Sequence, residues 1–266
     1  MTRIDKTFKR LAEINEKALV GFVTAGDPDM DRSLEIIHHM IENGLDILEL
    51  GVPFSDPTAD GPVIQRSSAR ALKSGMTLGR VRDMIEIIRQ THADIPIIVF
   101  SYYNPIYAYG IRKFYEDFVS AGADGVLVVD LPPEESDEMT REWMSDPLPF
   151  IRLVAPTTPD ERMRQIVADS AGFIYMVSKT GVTGSAGLDA RESGGQVERL
   201  KQMTTLPVCV GFGISTPADV AAVALAADGV VIGSAFERTI ENGLDDPGLP
   251  QRLGRQTADY KAATRM

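Results

Sequence analysis

Two carboxylates near one strand end are the residues in this chain best suited to chemistry. Glu49 lies in Asp46-Ile-Leu-Glu-Leu-Gly51, where strand alternation puts Ile47, Glu49 and Gly51 on one face and Leu48 and Leu50 on the other. A carboxylate in so apolar a strand loses hydration, which raises its pKa toward the range useful for proton transfer near neutrality. The plainer alternative is a buried glutamate satisfied by backbone donors. Asp60 follows in Pro57-Thr-Ala-Asp-Gly-Pro62, a loop whose prolines and glycine can turn it back over the strand end, although such an aspartate can also serve the turn alone. Carboxyls in differently solvated places divide acid and base roles, and Glu49 is the more buried of this pair.

Two glycine motifs suggest a phosphate site. Gly211-Phe-Gly213 ends one apolar run, and Gly233-Ser234 ends another just ahead of the helical segment Ala235 to Glu241. Bare backbone followed by a helix amino terminus is a ready anion site. Other candidates compete with bland readings. Asp130 ends the run Val128-Val-Asp-Leu131, and Lys179 would suit a Schiff base if desolvated, yet its neighbours Ser178, Thr180 and Gly181 read as a solvated loop. Tyr102, Tyr103 and Tyr175 could line an aromatic pocket or simply pack a core.

These residues need a scaffold, and the chain supplies one. Eight short apolar runs recur: Ala18 to Thr24, Ile47 to Gly51, Ile95 to Ser101, Gly125 to Val129, Pro149 to Val154, Phe173 to Val177, Pro207 to Gly211 and Gly229 to Ile232. Helix-period segments lie between most of them, such as Leu34, Ile37 and Ile41. Strands alternating with helices imply parallel pairing, and eight units favour a closed (β/α)8 TIM barrel over an open doubly wound sheet. The reading is one α/β domain over residues 1–266. Ile4, Phe8 and Leu11 form a helical face before the first strand that suits a cap on the barrel bottom. Extra segments follow strands 2 and 6, from Pro53 to Gly61 and from Lys179 to Gly195, and the glycines of the second suit a closing lid.

Composition narrows the classes. The net charge of −11 opposes nonspecific binding to nucleic acid or anionic membranes, which need a positive field. The apolar runs are strand-sized, too short for a membrane span, and the first 17 residues lack a signal-peptide core, so a cytoplasmic location is expected. The lone cysteine, Cys209, sits in an apolar run and reads as core, and three histidines, two of them adjacent, do not suggest a metal site.

Four stretches resemble the alpha subunit of tryptophan synthase. They are Leu48-Glu-Leu-Gly-Val-Pro-Phe-Ser-Asp-Pro57 with Ala59-Asp-Gly-Pro62, then Ser178-Lys-Thr-Gly-Val-Thr-Gly184, Gly211-Phe-Gly-Ile-Ser215 and Thr24-Ala-Gly-Asp-Pro28. The likeness runs from about Phe8 to Ile240, with Thr58 where a leucine is expected and Lys179 where many relatives carry arginine. It implies retro-aldol cleavage of indole-3-glycerol phosphate to indole and glyceraldehyde 3-phosphate, with no cofactor in this chain. By resemblance, Glu49 moves the protons and Asp60 holds the indole N–H. The phosphate falls to Gly184, Gly213, Gly233 and Ser234, the indole ring to Phe22, Phe100, Leu127 and Tyr175, and lid closure to Thr183. The resemblance also implies a beta-subunit partner carrying pyridoxal phosphate in an α2β2 heterotetramer, met through Pro53 to Asp56 and Asn104 to Ile106. Three other readings stay open here: a stand-alone lyase releasing free indole, a covalent aldolase using Lys179, and an idle barrel kept as an allosteric partner.

Overall fold

The computed structural model describes residues 1–141, 143, 148–177, 190–211 and 213–265. The strands are β1 (Ala18–Thr24), β2 (Ile47–Gly51), β3 (Ile97–Ser101), β4 (Gly125–Val128), β5 (Arg152–Val154), β6 (Ile174–Val177), β7 (Val208–Gly211) and β8 (Gly229–Ile232). They form one parallel sheet in the order β4-β3-β2-β1-β8-β7-β6-β5. A parallel bridge between Val126 and Phe150 joins its two ends, with Ile151 N donating to the Val126 carbonyl and Val126 N to that of Pro149. Closure removes the sheet edges and makes a (β/α)8 barrel. β3 and β7 begin just after Pro96 and Pro207, later than their apolar runs, because a prolyl nitrogen cannot donate to the ladder.

Helices alternate with the strands: α1 (Arg3–Glu13), α2 (Met30–Glu42), α3 (Pro62–Lys73), α4 (Leu78–Thr91), α5 (Tyr103–Tyr109), α6 (Ile111–Ala121), α7 (Asp137–Thr140), α8 (Asp160–Ala168), α9 (Ala190–Lys201), α10 (Pro217–Ala224), α11 (Ser234–Glu241) and α12 (Leu249–Ala262). Local chemistry starts several of them. Asp29 accepts from Arg32 N at 2.9 Å at the head of α2, and Thr216 with Asp219 forms a reciprocal cap on α10. No helix among the described residues is long and apolar enough to cross a membrane.

Strand alternation divides the core in two. Leu19, Val23, Leu48, Leu50, Val99, Val126, Val210 and Ile232 pack outward against the helices. Val20, Ile47, Ile98, Leu127, Ile151, Tyr175, Cys209 and Val231 fill the barrel interior. α1, whose first turn is closed by Thr2 and Asp5, drives Ile4 and Leu11 into the interior from below, and its Phe8 ring stands 6.1 Å from Phe173.

The glycine-rich segment after β6 is shorter than its composition suggested. The glycine spacing places the end of that loop at Gly195, but α9 begins at Ala190. Buried Val197 and Leu200 anchor this helix against the core and outweigh the cost of roughly 1 kcal/mol for each helical glycine.

The carboxyl-terminal helix is fastened to the barrel bottom by one cation. Lys261 Nζ reaches Asp46 at 2.7 Å, Glu16 at 3.0 Å and the Lys17 carbonyl at 3.2 Å. Asp46 also accepts from Leu19 N at 2.9 Å and from Arg10 at 3.0 Å. Lys261→Met is therefore expected to cost about 2–3 kcal/mol, below the 3–5 kcal/mol typical of a stranded buried charge because Asp46 keeps those donors. Urea unfolding would read this as a lower midpoint at an unchanged slope.

Candidate active site

Inward-facing residues at the carboxyl ends of the strands line one cleft, about 520 Å³ with its open mouth included. Its walls are Phe22, Glu49, Asp60, Gly61, Ile64, Phe100, Tyr175, Gly213, Ile214, Val231, Gly233 and Ser234. Phe22, Glu49, Phe100, Tyr175 and Val231 share the interior face because each lies in alternating register on its strand, with Phe22 opposite Glu49 across the β1–β2 ladder.

Glycine makes room for two of the rings. A Cβ on Gly51 would stand 2.5 Å from the Phe22 ring, and one on Gly211 would stand 2.2 Å from the Tyr175 hydroxyl oxygen. Any side chain at either position would displace an aromatic ring that lines the cleft.

Glu49 is wholly buried, and neither carboxyl oxygen has a hydrogen-bond partner. The alternative of a structural glutamate held by backbone donors therefore has no support in the geometry. Desolvation raises its pKa to about 8, so it carries a proton at neutral pH. Asp60 is treated differently. Burial raises its pKa to about 6, while a hydrogen bond from Tyr102 lowers it. The Tyr102 hydroxyl donates to Asp60 Oδ2 at 3.0 Å and accepts from Ala59 N at 2.9 Å, so one phenol holds both the carboxylate and its loop. Phe54 packs beside that phenol with ring centroids 5.2 Å apart. At pH 7 the cleft thus offers one neutral acid and one carboxylate.

Across the cleft, Gly213 has φ +77° with no atom within 4 Å of where a Cβ would stand. Gly233 and Ser234 open α11, whose first intrahelical bond runs from Glu237 N to the Gly233 carbonyl at 3.1 Å. Helix geometry leaves the preceding amides of that turn without intrahelical acceptors, where an anion can bind them. Ser234→Ala is expected to raise KM for a phosphorylated substrate only about two- to tenfold, since it removes a single hydroxyl bond and leaves the amides. Steady-state kinetics across substrate concentrations would measure it.

The remaining candidates divide. Leu127 is wholly buried in the barrel interior, in register with Phe100, and is not among the residues lining the cleft. Asp130 is exposed and accepts from Tyr103 N at 2.7 Å, which caps α5. Lys179, Thr183 and Gly184 lie outside the described residues. Ser55, Asp56 and Asn104 are exposed on the same face, whereas Ile106 is wholly buried. Sequence reasoning missed Gly61, Ile64, Ile214 and Val231 as lining residues. Val231 was open to discovery, since it alternates with Gly229 and Gly233 on the inward face of β8.

A closed (β/α)8 barrel whose carboxyl-end cleft holds two carboxyls of raised pKa has the layout of a barrel enzyme. The family described as Tryptophan synthase alpha chain matches residues 8–264. The chain is 60% identical over 265 residues to the tryptophan synthase alpha chain of Desulfatibacillum aliphaticivorans, covering 100% of both. It is 59% identical over 266 residues to that of Desulfosudis oleivorans, again covering 100% of both. The crystal structure of tryptophan synthase subunit alpha from Legionella pneumophila superposes with a TM-score of 0.91 at 39% identity, over 99% of this chain and 98% of that one. The chain belongs to the tryptophan synthase alpha chain family, and its role is that of the alpha subunit in tryptophan biosynthesis.

Proposed function

We propose that this chain cleaves indole-3-glycerol phosphate to indole and glyceraldehyde 3-phosphate, as one lyase domain spanning residues 1–266. The observation that carries the proposal is Glu49, a buried, unpartnered acid facing a cleft that also holds an ionised Asp60. In this reading the indole ring lies among Phe22, Phe100 and Tyr175, and its N–H donates to Asp60. Glu49 gives its proton to indole C3, and Asp60 stabilises the positive charge that develops on the ring. The bond from C3 to the side chain then breaks as the hydroxyl on the adjacent carbon gives up its proton and becomes the aldehyde. The Glu49 carboxylate takes that proton and is restored. The phosphate sits at the amino terminus of α11 with Gly213, Gly233 and Ser234, and family likeness assigns Gly184 to the same phosphate and Thr183 to lid closure.

This scheme needs no cofactor in this chain. A beta-subunit partner follows from membership of an alpha-chain family. We assign it pyridoxal phosphate, an α2β2 assembly and a cytoplasmic setting. Its contacts on this chain are the exposed residues of Pro53 to Asp56 and Asn104, linked beneath by the Phe54–Tyr102 ring contact. The test is indole release from indole-3-glycerol phosphate by the purified chain, with and without an added beta subunit. Slow release that the partner accelerates is the expected result. Fast release by the chain alone would make it a stand-alone lyase, and no release under either condition would overturn the substrate.

A further inference from the structure

The proposed reaction leaves one buried carboxyl unused, beneath the first turn of α11. Glu237 is wholly buried and lies one turn along the helix from Ser234. Its Oε1 accepts from Thr24 N, at the end of β1, at 2.7 Å. Its Oε2 is buried without a hydrogen-bond partner, and the Thr24 hydroxyl also stands beside the carboxyl. The neighbouring charge that acts on it most strongly is the Asp27 carboxyl, also wholly buried, and the two side chains engage one another.

The cations of this region are committed elsewhere. Arg70 on α3 binds both oxygens of Asp27, through Nε at 2.8 Å and Nη2 at 2.7 Å, and its Nη1 reaches Glu241 at 3.1 Å. Arg66 holds Glu241 at 2.6 and 2.8 Å. From α12, Arg252 binds the Thr239 carbonyl at 3.2 Å, and Tyr260 packs on Phe236 with ring centroids 5.5 Å apart. Two carboxyls beside one guanidinium in a dry pocket do not both stay ionised. Burial raises the Asp27 pKa as well, but its two bonds from Arg70 oppose that rise, so Asp27 is the member of the pair that keeps its charge. Glu237 has the orphan oxygen, and burial drives its pKa well above the carboxylate range.

We propose that Glu237 is a neutral positioning residue: it holds a proton at Oε2, donates it in a hydrogen bond to Asp27, and accepts from Thr24 N through Oε1. This latch fixes the first turn of α11, with Gly233 and Ser234, to the end of β1. Through Asp27 and Arg70 it extends to α3, the helix that follows Asp60. The inference rests on reading that turn as the phosphate site. Neutrality is part of the device, because an ionised carboxylate in the same turn would compete with a phosphate for the amide ends of the helix.

The test compares thermal unfolding of wild type and Glu237→Gln at about pH 5 and about pH 8, with KM and kcat for both and for Glu237→Leu. A carboxyl whose folded pKa is raised weakens the fold as pH climbs above its ordinary value of 4.5. Glutamine stays neutral and can make both bonds, so it escapes that loss. The Tm difference, Gln minus wild type, is expected to grow by roughly 10 °C between the two pH values, with KM within about twofold of wild type. Leucine makes neither bond and is expected to raise KM about tenfold while kcat falls less than about threefold. A Tm difference that grows by less than about 5 °C, stays flat or shrinks as pH rises would show a Glu237 ionised at neutral pH and overturn the proposal, as would a leucine variant with wild-type KM. The unfolding comparison uses no substrate, so it decides the protonation state even if the substrate assignment fails.

Discussion

Glu49→Gln is expected to lower turnover by roughly 10²- to 10⁴-fold, the range of general acid-base catalysis, with substrate binding kept. Glutamine has nearly the same shape but can neither give a proton to indole C3 nor take one from the hydroxyl. The same two carboxyls set the pH profile of the wild-type chain. Activity should rise as Asp60 ionises through about pH 6 and fall as Glu49 loses its resting proton above about pH 8. The acid that serves the reaction also weakens the fold. Its raised pKa means stability is fullest below 4.5 and declines as pH rises toward 8. Glu49→Gln removes that decline, so the stability gap between variant and wild type should widen in the variant's favour from about pH 5 to about pH 8. Wild-type turnover in the variant would overturn the acid-base assignment, whatever the unfolding data show.

Asp60→Asn is expected to lower turnover by about 10²-fold or more, because a neutral amide cannot balance the positive charge that forms on the ring. Tyr102→Phe separates the charge of Asp60 from its placement. The Tyr102 bond lowers the Asp60 pKa against the effect of burial. Losing it should move the acid limb of the profile to higher pH, with a smaller loss of rate near the optimum between the two pKa values. Rates measured across the acid limb for both variants would test this. An unaltered limb in Tyr102→Phe would reduce that phenol to a loop support, and undiminished activity in Asp60→Asn would return Asp60 to a role in the turn.

Much of the scaffold was legible along the chain. Apolar runs bounded by glycine and proline mark the strands, and period-two alternation alone puts Glu49 on the same face as Ile47, toward the barrel interior. The glycines at the ends of β2, β7 and β8 announce close approach, although not which ring approaches. The less legible features are contacts between distant segments. Tyr102 meets Asp60 across 42 positions, and Glu237 meets Thr24 across 213. Neither pairing has a local signal, since each depends on how two elements are brought side by side.

Local pattern along the chain thus sets the alternation of strands and helices, the face on which each strand residue points, and which carboxylates stand near strand ends. These properties arise from backbone geometry and from hydrophobic periods short enough to read locally. Depth comes from the packing of distant segments: Glu49 is left without a donor while Asp60 receives one, Leu127 is sealed beneath the cleft, and Glu237 is enclosed beside Asp27. Depth and partner set desolvation, and desolvation sets which carboxyl holds a proton at neutral pH. That quantity belongs to the packed barrel and to no segment of it.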